Sequence, residues 1–224
     1  MNYRLIQPRN ILAATSMVVI TTLTSCGPTT NTTVEEKKVV TPLKAEFVNP
    51  YKSGTYNHFK AKPGYPKTYN VYKNTSLLAK TNSSNSSVVI DLSEQRARLM
   101  NGSTVVMDYP VSTGKSAHKT PTGTFYIKEK IVDKRSNLYG KILDKNGNVV
   151  KSGADSRKDK PPAGGKFLGA AMAHWMRLTN DGIGMHKGRV PRYPASHGCI
   201  RTPGSVVPIV FSKVKSGTKV TIKQ

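Results

Sequence analysis

Two Asn-Gly pairs, Asn101-Gly102 and Asn146-Gly147, each interrupt a stretch of β-type residues, and nothing else in the chain constrains its fold as strongly. Asn-Gly adopts the left-handed conformations that a tight hairpin turn requires, so the runs on either side turn back on each other as strands. Val88–Gly114 therefore reads as one hairpin, with an apolar run, a turn at Asn101-Gly102 and a second run. Gly123–Asp133 alternates as a third strand, and Lys141–Gly153 forms a second hairpin. The charged, glycine-rich Ala154–Lys166 reads as a mobile loop. Ala170–Thr179 is compatible with strand or short helix, and Gly182–Gly188 with a strand ending in a polar turn. Ser205–Gly217 is a short amphipathic helix, followed by a closing strand at Thr218–Lys223. Many short strands with Gly and Asn turns predict a mainly β fold: a sandwich or partly open barrel of mixed strands with one or two short helices. There is no internal repeat and no heptad pattern.

Charge and the N-terminus narrow the setting. The 224 residues include 35 Lys and Arg against 12 Asp and Glu, a net charge of +23, which favours an anionic partner. Residues 1–25 have Arg4 and Arg9, then an apolar run from Ile11 to Leu23, the length of an export-signal core and short for a membrane span. The run ends in Leu23-Thr24-Ser25-Cys26, which resembles a bacterial lipobox, so Cys26 is the expected lipidation site and the new first residue. Removing residues 1–25 leaves 33 basic residues against 12 acidic ones, about +21. Residues 26–41 read as a flexible tether, and residues 42–87, with tyrosines between prolines, as an extended arm packing on the main domain. Gly27 rather than aspartate after Cys26 favours the outer over the inner membrane of a cell envelope. The expected location is the periplasm, lipid-anchored. Export also argues against nucleic acid as the anionic partner, and no aromatic-basic nucleic-acid motif is present.

With Cys26 lipidated, Cys199 is the only remaining thiol in an oxidising compartment, where serine would be the safer residue. Its surroundings, Met185–Pro203, hold His186, His197 and Arg201, groups that favour a thiolate or accept its proton. Gly198 permits a tight backbone turn whose N–H groups face a developing oxyanion. A zinc site using His197 and Cys199 with His186 or His174 is the weaker reading, because no second cysteine and no helical His pair accompany them. A buried inert cysteine fits poorly with polar neighbours.

Ser196–Arg201, "SHGCIR", with the upstream "MH" at Met185-His186, resembles the signature of the L,D-transpeptidase catalytic domain, the YkuD-type domain of bacterial cell-wall enzymes. Val88–Ile127, including Ser112–Gly114 and Thr120–Gly123, is similar to the first half of that domain, and the resemblance extends from about Val88 to Gln224. It implies that residues 88–224 are the catalytic domain and that Cys199 is the nucleophile attacking a peptidoglycan stem peptide. The terminal D-amino acid would leave and a thioester would remain. His186 would be the general acid/base. Ser196, His197 and Gly198 would shape the turn and oxyanion site, and Arg201 would hold the loop or a stem carboxylate. The acceptor would be an amine of a second stem or of a wall-linked lipoprotein, and carbapenems would acylate the thiol. No cofactor is implied. The segment between His186 and Ser196 is shorter than in many members, a compact loop that bears on acceptor preference. Residues 133–166 would form a lid-like insertion.

Three other functions use the same residues differently. Water as acceptor would make the protein a carboxypeptidase or endopeptidase, and a basic wall-binding protein would need no catalysis at all. His174, Trp175, Arg177 and Tyr193 flank the motif and read mainly as packing or solvated residues. His58 and His118 have no supporting pattern.

Overall fold

The computed structural model of the protein describes residues 47–224. The export segment, Cys26, the tether and the start of the arm lie outside the described residues. In chain order the elements are α1 (Tyr56–Lys60), β1 (Tyr72–Lys73), α2 (Thr75–Lys80), β2 (Ser86–Asp91), β3 (Arg96–Asn101) and β4 (Thr104–Pro110). A 3-10 turn (Ser116–His118), β5 (Gly123–Tyr126), β6 (Glu129–Ile131), β7 (Arg135–Leu143), β8 (Val149–Asp155) and β9 (Lys166–Ala171) follow. The chain closes with β10 (Trp175–Arg177), β11 (Gly184–Lys187), β12 (Ile200–Thr202), α3 (Val207–Lys213) and β13 (Lys219–Lys223). Over the described residues the fold is mainly β with few short helices and no closed barrel. Among the described residues, six strands form one sheet in the order β1-β4-β3-β2-β13-β5, four form a second, β12-β11-β10-β6, and three form a third, β8-β7-β9.

The Asn101-Gly102 hairpin is present as β3 and β4, but the run before it is two strands, not one. A turn at Leu92–Gln95 separates β2 from β3. Asp91 drives it: its carboxylate accepts the Ser93 hydroxyl at 2.7 Å and the Glu94 N–H at 3.0 Å, while Gln95 takes φ 52°. The expected third strand is also divided. β5 pairs with β13 in the large sheet and β6 with β10 in the second. The chain changes sheets at Ile127-Lys128, where Ile127 bonds Gly217 and Thr218 and Lys128 bonds Arg177.

Val88, Ile90, Ala97, Leu99, Val220 and Ile222 from the large sheet share one core with Met176, Met185 and Ile200 from the second sheet and with Val207 and Val210 of α3. Full burial of each such side chain contributes about 1.5–3 kcal/mol. Lys130 fixes α3 by donating to the carbonyls of Phe211 and Val214 at its C-terminal end. No helix of the described residues is long and apolar enough to cross a membrane.

The insertion is larger than residues 133–166. The Asn146-Gly147 hairpin is β7 and β8, and β9 adds a third strand on the other side of β7, so the sheet reaches Ala171. Residues 47–85 include two helical turns as well as extended chain, because Thr55 caps α1 by accepting the His58 N–H and Asn74 caps α2 by accepting the Leu77 N–H. The rest of this arm covers the face of the large sheet opposite the core. Arg96 and Arg98 alternate with core-facing Ala97 and Leu99, and Arg98 is the register partner of Asp108. Arg96 is fully buried, bonds Asp108 through Nε, and donates to the arm carbonyls of Pro66, Thr68 and Asn70. Asp108 also accepts the hydroxyls of Tyr56 at 2.6 Å and Tyr65 at 3.0 Å. Burial and the adjacent Asp108 carboxylate push the Tyr56 hydroxyl above the usual phenol range, so it remains a donor.

Candidate active site

β11 and β12 lie side by side in parallel, with Met185 opposite Ile200 and His186 opposite Arg201. Met185 and Ile200 point into the core. Alternation then puts His186 and Arg201 on the outward face, and Cys199, just before β12, shares it. Sequence separation from His186 to Cys199 is thus closed by strand pairing.

His186 is buried, and its Nδ1 lies 2.7 Å from the Lys187 carbonyl. A carbonyl only accepts, so Nδ1 carries the proton and Nε2 keeps its lone pair. Burial lowers the imidazole pKa to about 4, the Lys187 contact opposes this, and the Arg201 charge lowers it further. The ring is therefore neutral and basic-ready at neutral pH. Trp175 packs 6.2 Å from it, centroid to centroid, and is held by Glu129, which also accepts from Arg177 at 3.2 Å. Trp175 thus packs beside the imidazole, and Glu129 ties it to Arg177.

The half-buried Cys199 thiol hydrogen-bonds the Gly182 carbonyl at 3.7 Å. Burial raises its pKa, the Gly184 backbone and Arg201 oppose this, and Asp181 adds to the rise. Both shifts favour the neutral thiol and the neutral imidazole at neutral pH.

The cysteine turn is tied from two sides. Ser196 Oγ donates to the Cys199 carbonyl at 2.6 Å and accepts the Gly198 N–H at 3.1 Å. Gly198 has φ 108°, which a side chain would strain. The Gly198 N–H is thus taken up by Ser196, while the N–H of Cys199 has no partner among the described residues. The second tie is the Ser112–Gly114 segment. Ser112 exchanges both backbone bonds with Arg201, Thr113 O accepts from Ala195 and Ser196, and Lys115 N donates to Ser196 O. Thr120 Oγ1 donates to the Gly198 carbonyl and accepts the Gly114 N–H. A Cβ on Gly114 would lie 2.0 Å from the His118 carbonyl and 2.9 Å from Gly198 Cα, so the two loops touch only with glycine there. Gln95 clamps Thr113 through both its amide nitrogen and oxygen.

His197, adjacent to the thiol in sequence, is exposed and sits between two other rings: His118 at 4.7 Å and Tyr139 of the three-stranded insertion at 4.3 Å, nearly parallel. The insertion thus reaches the cysteine loop through Tyr139. His118, which has no supporting sequence pattern, Thr120 of the "TPTG" stretch and Gln95, not singled out in the sequence, belong to this site. His174 lies apart, edge-on to Phe211 of α3 with Nδ1 unpartnered. Tyr193 contributes its carbonyl, which accepts the Ser112 hydroxyl, and leaves its ring exposed. Among the described residues no group of three or more His, Cys, Asp or Glu forms a metal-binding cluster.

The site is thus a cysteine turn beside a strand-borne histidine on a mixed β fold. The L,D-transpeptidase catalytic domain (YkuD) model matches residues 85–222, and the chain belongs to that family. Solved structures of the same kind include an L,D-transpeptidase from Mycobacterium smegmatis (19% identity, 62% of this chain and 59% of that one, TM-score 0.47). Others are one from Stackebrandtia nassauensis (17%, 65% and 60%, TM-score 0.45) and a cysteine-to-serine variant from Enterococcus faecium (26%, 62% and 50%, TM-score 0.44). The chain therefore spans between half and three-fifths of these structures' length. No curated protein matches it.

Proposed function

We propose that the protein is an exported, lipid-anchored L,D-transpeptidase that joins peptidoglycan stem peptides through a thioester on Cys199. The observation that carries this reading is the placement of a neutral imidazole, with Nε2 free, on β11 and of the thiol immediately before the parallel β12. Cys199 Sγ attacks the carbonyl of the third stem residue as its proton passes to His186 Nε2. The Cys199 N–H supports the oxyanion. Collapse breaks the C–N bond, and the imidazolium gives its proton to the departing amine of the terminal D-amino acid. An incoming amine then attacks the thioester, loses a proton to His186 and expels the thiolate, which recovers its proton. An amine of a second stem makes a cross-link, and a protein lysine would attach a wall-linked lipoprotein. Support for acidic stems comes from the strongly basic chain, and Cys26 supplies the anchor in the cell envelope.

Purified protein incubated with disaccharide tetrapeptides should yield dimers linked between their third residues, read by mass spectrometry. Release of tripeptide monomers alone would make it a hydrolase. Undiminished dimers after complete alkylation of Cys199 would remove the thioester from the reaction. For the anchor, cells labelled with a fatty acid should show a labelled protein, with the label absent in Cys26→Ala; label persisting in that variant would refute lipidation at Cys26.

A further inference from the structure

We propose that the N-terminal arm fixes one wall of the substrate site: Lys67 and Tyr69 hold Arg192, and Arg192 holds the loop between His186 and Ser196 in the position that binds the stem peptide. This deepens, and rests on, the transpeptidase reading above.

The loop leaves β11 after Lys187 and returns at Ser196, so its ends lie close to the two reacting side chains. Both ends are tied to the body of the domain. The Gly188 N–H donates to the Thr202 carbonyl, the Tyr193 carbonyl accepts the Ser112 hydroxyl at 2.7 Å, and the Ala195 N–H donates to Thr113. Between these ties the backbone of residues 189–192 makes no hydrogen bond among the described residues. One side chain holds the middle of the loop. The Arg192 guanidinium donates to the Lys67 carbonyl and stands 4.4 Å from the centre of the Tyr69 ring. A hydrogen bond and a cation–π contact thus act on one planar group.

The arm is arranged to offer both contacts. The carbonyls of Pro66, Thr68 and Asn70 accept from buried Arg96 of β3, while the Lys67 carbonyl and the Tyr69 ring are left for the loop. The segment is therefore laced between an arginine of the sheet and an arginine of the loop. Arg192 has φ 66°, in the left-handed region that disfavours any residue with a side chain. Glycine would take this conformation without strain, but only a long cation also reaches the arm.

The loop borders a cavity. Pro194, two residues beyond Arg192, lines a space of about 560 Å³ with Gln95, Thr113, Gly114 and Thr120. The same four residues support the cysteine turn, and Gly114 packs against Gly198. The volume falls within the range of about 300–1,000 Å³ that holds small ligands. Arg192 touches no reacting atom. It is a positioning residue that acts through the loop, whereas Cys199 and His186 are held by the pairing of β11 with β12. Its loss should therefore weaken binding and spare the chemical step.

Release of the terminal D-amino acid from a disaccharide tetrapeptide tests this. Arg192→Ala and Tyr69→Ala should each raise KM by about 5- to 30-fold with kcat little changed. The double variant should be no worse than either single one, because both remove the same contact. Tyr69→Phe, which keeps the ring, should restore the wild-type KM. The rate at which neutral iodoacetamide labels Cys199 should be the same in all of them. Cleavage by trypsin after Arg189, read by mass spectrometry, should quicken in Tyr69→Ala. Should Arg192→Ala fail to fold, Tyr69→Ala alone decides, since it lies outside the loop and its ring is exposed. An unchanged KM in Tyr69→Ala, or additive losses in the double variant, overturns the proposal and leaves the transpeptidase reading intact. A wild-type protein whose Cys199 is never acylated by the tetrapeptide overturns both.

Discussion

Cys199→Ala should abolish thioester formation and every product that depends on it, and His186→Gln should slow release of the terminal D-amino acid by about 10²–10⁴-fold, the contribution of a positioned acid/base. The second value follows from the neutral resting state: burial holds the thiol proton on, so without Nε2 nothing removes it as the carbonyl arrives. Glutamine preserves a polar group near the Lys187 carbonyl but supplies no base. The wild-type acylation rate should stay level through the neutral range and fall only as pH approaches about 4, where His186 protonates. An acid limb near the ordinary histidine value, about 6.5, would assign the base elsewhere. Stability carries the same signature. The unfolded chain takes up a proton at His186 near 6.5 and the folded one does not until about 4, so stability falls as pH drops between those values. The loss should total about 3 kcal/mol, and His186→Gln should be free of it in urea titrations at pH 7 and pH 4.

The site was legible in the sequence to the extent that its members sit in one short segment. Met185–Pro203 holds His186 and Cys199 together, and the resemblance of "SHGCIR" and "STG…TPTG" singled out both loops. Other features were hidden for a physical reason. Gln95 forms a turn without glycine because the Asp91 carboxylate supports it, so the β2–β3 turn had no Gly or Asn signal and two strands read as one. β9 lies in a glycine-rich stretch whose partner, β7, is far earlier, with Leu143 opposite Lys166 and Arg135 opposite Ala171, and nothing local announces such pairing. The occupation of the Gly198 N–H by Ser196 depends on one side-chain rotamer, which residue spacing does not specify. Arg96, Arg98 and Asp108 alternate with apolar residues as charges on a solvent-facing strand would. Only the arm, more than twenty residues upstream, makes that face an interior one.

That hidden interior gives the largest expected stability effect. Asp108→Ala should destabilise the protein by about 3–5 kcal/mol, as removal of one partner leaves Arg96 a buried, uncompensated charge. The effect compounds because Tyr56, Tyr65 and Arg98 lose their acceptor in the same step. Replacing the pair together, Arg96→Met with Asp108→Leu, should cost less than Asp108→Ala alone, since no charge is stranded, although the carbonyls of Pro66, Thr68 and Asn70 then lose their donor. Urea unfolding at pH 7 separates these cases through the midpoint at constant slope, and a change below about 1 kcal/mol in Asp108→Ala would show that the pair is not the arm's anchor. The consequence reaches the thiol. Arg96 follows directly on Gln95, which clamps Thr113, and β4 runs from Asp108 into the Ser112–Gly114 segment on which the cysteine turn rests. Loosening the arm should therefore slow Cys199 acylation below the unfolding temperature as well.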